Sequence, residues 1–375
     1  MSAMNKKKIL IVTYGFYPEI SPRSFRATEL AKEFVRQGHE VTVVAPAKVG
    51  LEKFLSEYAV DFIDIGEVTW KVPVLRSNSS IAQLFNRVMV RLSSLWFEYP
   101  LIQLKGKVSK ALKKLKGFDL LISVAVPYPI HWGVSSVWNK KGDGNPAKTW
   151  VADCGDPYMG QENDTFSPPF YFAWLEKSFC RKADYLSLPT ENSYIGYYPE
   201  FHNKIVVIPQ GFKFEEYRIN ETKRNENKLI FGYGGMFIPG RRDPREFLEF
   251  LVSLENEFDF EFHVYTSSPQ YVESFAQRSK RIKLFPVIDR LELMDRFSTM
   301  DFLVNFTNVG KAQTPSKLID YAILGKPIIN IETGNLNNEL VLEFLTKNYS
   351  NSIVIPNPEQ YRIENVCSQF LSLTD

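Results

Sequence analysis

The run Ile9-Leu-Ile-Val12 constrains this chain more than any other feature. Apolar residues in succession, with no polar alternation, suit a strand covered on both faces, as strands of a parallel sheet are. A loop carrying Gly15, Pro18 and Pro22 follows, and Ser24 to Gln37 then reads as a helix with Leu30, Ala31, Phe34 and Val35 on one face. Gly38 stops that helix, and Val41-Thr-Val-Val-Ala45 reads as a second buried strand. Residues 9–45 therefore form a strand–helix–strand unit whose crossover is right-handed. Ligands of such sheets sit beyond the carboxyl ends of the strands, which directs attention to the loop from Thr13 to Ser24.

The pattern returns after residue 228. Leu229-Ile-Phe-Gly-Tyr233 runs into Gly234-Gly235, and a helix from about Arg245 to Leu254 follows. Phe262–Tyr265, Ile282–Phe285, Phe302–Asn305 and Pro327–Ile331 supply further short strands, with helical segments near Arg290–Ser298 and Ser316–Leu324 between them. Strands alternating with helices in both halves predict an α/β protein with two Rossmann-like, doubly wound parallel sheets. The length of 375 residues agrees, because it suits two domains of roughly 150 to 200 residues each. The expected boundaries are 1–212, a linker at 213–228, and a second domain at 229–355. Residues 213–228 mix Lys, Arg, Glu and Asn without an apolar stripe, which a charged surface helix inside one domain would also do.

Charge excludes some partners. Lys plus Arg number 45 against 43 Asp plus Glu, so a formal charge of +2 creates no global field for nucleic acid. The three cysteines, Cys154, Cys180 and Cys367, are far apart and include no C-x-x-C pair, which argues for a reducing cytoplasm over a disulfide framework or zinc site. Ile9–Val12 is too short for an export signal or a membrane span. Pro100 to Phe118 stands apart: it has no acidic residue, and six lysines interleave with Leu101, Ile102, Leu104, Val108, Leu112 and Leu115. Such a basic amphipathic stretch can lie on an anionic membrane surface, or pack on the sheet with a solvated lysine face.

Two segments carry candidate chemistry. Gly234 and Gly235 end a strand, and Arg241 and Arg242 precede the next helix, an arrangement able to hold a diphosphate through backbone N–H groups and guanidinium bonds. Gly-rich turns of this kind also arise from geometry alone, and no Walker loop is present. In Thr314-Pro-Ser-Lys-Leu-Ile-Asp320, Thr314 and Pro315 start a helix, which leaves the N–H groups of Ser316 and Lys317 open to an anion. Asp320, a turn further on, suits vicinal hydroxyls such as a ribose. The same spacing fits a simply capped helix.

Tyr233-Gly-Gly-Met-Phe-Ile-Pro-Gly-Arg-Arg-Asp-Pro244, with Pro315-Ser-Lys-Leu-Ile-Asp-Tyr321 and Gly325-Lys-Pro327, resembles the donor-binding half of family 4 glycosyltransferases of the GT-B fold. Phe16-Tyr-Pro-Glu-Ile20, Arg26, Glu29-Leu-Ala-Lys32 and Gly38-His-Glu-Val-Thr-Val43 are similar to the opening of those enzymes. Trp150-Val-Ala-Asp-Cys-Gly-Asp-Pro-Tyr158 resembles the W-[IV]-x-D-x-R-D-P-[WY] run of a subgroup that builds bacterial surface polysaccharide. The resemblance implies two domains facing a cleft, and transfer of a sugar from a nucleoside diphosphate sugar to a glycan or lipid-linked acceptor hydroxyl. It implies retention of configuration and a metal-independent site, in agreement with the absence of D-x-D.

It further implies Gly15, Gly234, Gly235, Arg241, Arg242, Pro315, Ser316, Lys317 and Asp320 as donor-binding residues, Arg242 also meeting the charge of the leaving group. Asp153, Asp156 and His131 are the candidates for orienting the acceptor hydroxyl; loop capping is the alternative for the two aspartates, and a lone histidine is more often structural. Residues 356–375 would cross back to the first domain. Two departures stand out: Ala312 occupies the first acidic position of the E-x7-E pattern, and Gly155 the arginine of the D-x-R-D-P run. A nucleotide-sugar 2-epimerase of the same fold and a non-catalytic binding protein remain as alternatives.

Overall fold

A computed structural model describes residues 6–75, 79–140, 142, 144–155, 157–161, 166–217, 228–307 and 316–374. The chain divides into two compact units, one formed by Met1–Phe212 with Ile363–Asp375 and the other by Lys213–Arg362.

The first unit contains seven strands, β1 (Lys8–Thr13), β2 (Glu40–Ala45), β3 (Val60–Asp64), β4 (Phe118–Val124), β5 (Ala147–Asp153), β6 (Tyr185–Leu188) and β7 (Ile205–Val207). All pair in parallel, in the order β3-β2-β1-β4-β5-β6-β7. Ile9 to Val12 are fully buried, as the unbroken apolar run requires, because helices cover both faces of the sheet. The helices are α1 (Pro22–Arg36), α2 (Leu51–Glu57), α3 (Ser80–Phe97), α4 (Gln103–Leu112), α5 (Pro129–Val137) and α6 (Phe172–Lys182). Helix α1 starts two residues before its predicted start. Ser21 caps it, accepting from Ser24 N at 3.2 Å, and Pro22 takes a first-turn position where its missing N–H costs nothing.

The basic stretch after Pro100 is not a free amphipathic face. In α4, Leu104, Val108 and Leu112 are buried in the core against α5, so only the lysine side meets solvent. Contact with α5 is close: a β-carbon at Gly133 would lie 2.7 Å from Val108 Cβ. Helix α3 is the opposite case, since only Ala82 of it is buried.

The second unit holds β8 (Leu229–Gly234), β9 (Phe260–Tyr265), β10 (Ile282–Phe285), β11 (Phe302–Thr307) and β12 (Ile328–Glu332), parallel in the order β10-β9-β8-β11-β12. Between and after them run α7 (Arg245–Ser253), α8 (Glu273–Arg278), α9 (Arg290–Ser298), α10 (Ser316–Ile323) and α11 (Asn338–Leu345). Its core is aromatic, with Phe231 stacked between Phe262 and Phe302 at centroid distances of 4.9 and 4.4 Å. Helix α12 (Ile363–Ser372) belongs to the first unit, where Ile363, Val366, Cys367 and Phe370 join the buried cluster around Ile9 and Leu30. Of the expected linker, 218–227 lie outside the described residues; Tyr217, just before them, is buried in the second unit.

Candidate functional site

Tyr233, the penultimate residue of β8, organises the most unusual local chemistry. Its ring is fully buried, stacked on Phe237 at 4.7 Å and edge-on to Phe306 at 5.0 Å. The hydroxyl donates to the Met236 carbonyl at 3.2 Å. Burial pushes its pKa up to about 12, with the neighbouring Arg242 pulling the other way.

Lys317, the second residue of α10, lies over the same ring, its Nζ 4.3 Å from the centroid. That nitrogen is shut off from solvent and, among the described residues, has no hydrogen-bond partner. Burial, aided by the charge of Arg242, brings its pKa down to about 7. Arg242 Nε is likewise buried without a partner. A ring face supports a desolvated cation by ~2 kcal/mol but satisfies none of its N–H donors, whereas an unpaired buried charge costs far more. Among the described residues, Arg242 Nε and Lys317 Nζ are thus left without a partner to offset their desolvation.

A stapled turn sets Arg242 in place. Arg242 N donates to Ile238 O at 2.8 Å and Ile238 N to Arg242 O at 3.1 Å, with Gly240 at φ +69° closing the turn. Thr333 fixes it to the end of β12, donating to the Arg241 carbonyl at 3.0 Å and accepting from Asp243 N at 3.1 Å. Arg241 itself points outward and is exposed.

The glycines have a different role from the expected one. Gly235 N donates to Tyr265 O at 2.9 Å and Gly234 N is directed at the Tyr321 hydroxyl at 3.4 Å, so neither N–H is open to a phosphate. Packing requires their smallness: a β-carbon would come within 2.8 Å of Leu293 at Gly234 and 3.0 Å of the Tyr233 hydroxyl at Gly235. Asp320 is also committed. It is paired with Arg290 and accepts from the Tyr217 hydroxyl at 3.1 Å, while burial raises its carboxyl and Arg290 partly offsets this. A ribose would have to share or displace those partners. Ser316 opens α10; Pro315, Thr314 and Ala312 lie outside the described residues.

In the first unit, Gly15 lies in the loop between β1 and α1, its carbonyl accepting from Thr13 Oγ1 at 2.9 Å. A β-carbon there would meet Glu19 Oε1 at 2.9 Å. Asp153, at the end of β5, is sealed from solvent rather than poised for an acceptor. Arg26 donates to both of its oxygens at 2.7 Å, and Ser187 to one of them at 2.7 Å. Burial raises the Asp153 carboxyl, but Arg26, Arg23 and Ser187 more than reverse this and hold it below the ordinary range. Asp156 lies outside the described residues.

His131 is equally enclosed. Trp150 Nε1 donates to Ser123 Oγ at 2.8 Å, and the same hydroxyl shares a hydrogen bond with His131 Nδ1, also at 2.8 Å. The other ring nitrogen, Nε2, lies 3.7 Å from Cys154 Sγ. Burial lowers the His131 pKa to about 3, so the ring stays neutral at physiological pH and serves the core. At Gly155 the missing arginine has a spatial replacement: a β-carbon there would fall 2.0 Å from Arg23 Nη2. The guanidinium of Arg23, 3.7 Å from Asp153, comes from the first turn of α1.

Sequence reasoning passed over Tyr233 as a platform, Arg290 and Tyr217 as partners of Asp320, and Arg23 as the group beside Gly155. Only the position of Tyr233 directly before the Gly-Gly pair could have flagged it.

No protein-family model and no curated protein matches the chain. Solved structures do. A glycosyltransferase from Rickettsia africae ESF-5 aligns with a TM-score of 0.59 at 12% identity, over 99% of this chain and 93% of that one. HepE of Anabaena, solved with UDP and glucose, aligns at 0.54 and 12% identity, over 99% and 96% of the two chains. Starch synthase IV of Arabidopsis thaliana, bound to ADP and acarbose, gives 0.54 and 10% identity over 99% of both. Identities this low speak for the architecture alone. Two parallel sheets of seven and five strands, aligned from end to end with such structures, make this an α/β protein of the GT-B fold.

Proposed function

We propose that the protein is a glycosyltransferase that moves a sugar from a nucleoside diphosphate sugar to an acceptor hydroxyl. The observation that carries this reading is the pair Arg242 and Lys317 beside Tyr233 at the carboxyl end of β8, whose Nε and Nζ are shut off from solvent without a hydrogen-bond partner among the described residues. A diphosphate supplies the missing charge. As the glycosidic C–O bond breaks, negative charge grows on the departing phosphate oxygen, and preorganised cations stabilise it most at that moment. The acceptor oxygen forms the new bond and passes its proton to the departing phosphate. In this reading configuration is retained and no metal is needed, as the family 4 resemblance implies. The structures of HepE with UDP-glucose and of starch synthase IV with ADP support a nucleotide in a fold of this kind.

The context, a cytoplasmic enzyme of surface polysaccharide or lipid-linked glycan assembly, is supported by the Trp150–Tyr158 run. A 2-epimerase needs acid–base groups in reach of its substrate, and the engagement of Asp153 and His131 within the core favours the transferase over it.

Calorimetric titration with UDP, GDP, dTDP, ADP and CMP tests the proposal on wild type and Arg242→Ala. One nucleoside diphosphate is expected to bind selectively, and the variant to lose about ten- to hundredfold in affinity, the range for a charged hydrogen bond. Absence of binding at millimolar concentration would overturn the reading. Binding without transfer from the matching sugar nucleotide would favour the non-catalytic alternative.

A further inference from the structure

Helix α3 is an 18-residue helix of which only Ala82 is buried. Its apolar residues are not scattered. Ile81, Leu84, Phe85, Val88, Leu92 and Trp96 follow helical spacing and form one stripe, all exposed. Beside α3 the segment 166–174 adds Phe170 and Trp174, 87% and 68% exposed. Val88, Leu92 and Trp96 on one side and Phe166, Pro169 and Phe170 on the other line a groove of about 920 Å³. Such a volume suits a bound organic chain. So large a continuous apolar surface signals a partner.

Charge says which partner. Residues 68–118 contain ten Lys and Arg against a single acidic residue, Glu98, in a chain whose net charge is only +2. Glu98 accepts from the Tyr158 hydroxyl at 2.7 Å, so that carboxylate is already engaged within the protein. Arg87 and Arg91 stand along the edge of the apolar stripe and line the groove. Apolar aromatic side chains bordered by arginine match the boundary between acyl chains and anionic headgroups. No helix among the described residues is long and apolar enough to cross a membrane.

We infer that α3 and the 166–174 segment dock on an anionic lipid bilayer, with Arg87 and Arg91 among the headgroups and a lipid chain in the groove. The inference is independent of the proposed transferase activity. It moves the membrane contact expected at 100–118 to the preceding helix, because the apolar side of α4 is already used by the core.

Co-sedimentation of the full chain with vesicles tests it. Binding is expected with phosphatidylcholine vesicles containing phosphatidylglycerol, and weakly or not at all with phosphatidylcholine alone. Arg87→Gln with Arg91→Gln should weaken it about thirtyfold, from about 1 kcal/mol per basic residue near the surface. Trp96→Ser with Phe170→Ser should weaken it at least about tenfold, each apolar side chain contributing ~1.5 kcal/mol or more. All four side chains are exposed, so unchanged melting temperatures verify that the variants fold. Failure to sediment with anionic vesicles, or equal binding by wild type and variants, overturns the inference. So does concentration-dependent dimerisation that Trp96→Ser abolishes, since a second copy would then be the occupant.

Discussion

Lys317 carries a desolvation cost that a bound anion would remove. Its pKa is about 7 in the folded protein against an ordinary 10.5, so between those values the unfolded chain binds a proton that the folded one lacks. Stability attributable to this group rises with pH through that window, and the penalty is complete below about pH 7. Lys317→Met is therefore expected to melt higher than wild type at pH 6, by about 2–4 °C for each kcal/mol relieved, with the gap closing towards pH 10. Donor binding should show the mirror image. A bound diphosphate raises the lysine's pKa, so wild-type affinity for the sugar nucleotide should fall by up to tenfold per pH unit above about 7, and Lys317→Met should bind weakly without that slope. Calorimetry in two buffers of different ionisation heat would register the proton taken up. Of this site the sequence disclosed the cations, because Arg242 and Lys317 stand where strand and helix ends were readable. It did not disclose what else bonds there. The Gly234 and Gly235 N–H groups are taken by Tyr321 and Tyr265, and Asp320 by Arg290 and Tyr217, partners distant in sequence that no local pattern predicts.

At the level of elements, periodicity revealed stripes but not their coverings. Both α3 and α4 have an apolar face; α5 covers that of α4 and the described residues leave that of α3 open. The close approach of α4 and α5 depends on Gly133, whose missing side chain leaves room for Val108 and for the Lys105 carbonyl. Gly133→Ala is expected to destabilise the first unit by about 1–3 kcal/mol, as overpacking does, and Val108→Ala in the same chain to recover part of the loss. Urea unfolding followed by the fluorescence of the buried Trp132 and Trp150 would measure both. The strands were easier to read than the helices' surroundings. Ile9–Val12 and Phe302–Asn305 are unbroken apolar runs because both faces of each sheet are covered, and that condition is written in consecutive residues.

At the scale of the whole chain, two compact units are joined by a path that leaves the first at Phe212 and returns at Ile363. Helix α12 completes the first core with Ile363, Val366, Cys367 and Phe370, all fully buried. A chain ending at Arg362 should lose several kcal/mol from that unit, at ~1.5 to 3 kcal/mol for each large side chain uncovered, and little from the other. Scanning calorimetry is expected to show one transition moving down while the second stays. A single transition falling as a whole would instead mean that the two units unfold together. The exit and re-entry points lie side by side, Ile363 N donating to Phe212 O at 2.9 Å. In chain order, residues 213–362 are thus an insertion between two neighbouring points of the first unit. Joining 212 to 363 through a few glycines is expected to leave a chain that keeps the first unit's sheet and α12, and the excised piece holds all five strands of its own sheet. A protein threaded this way can exchange its second half for another without recutting the first.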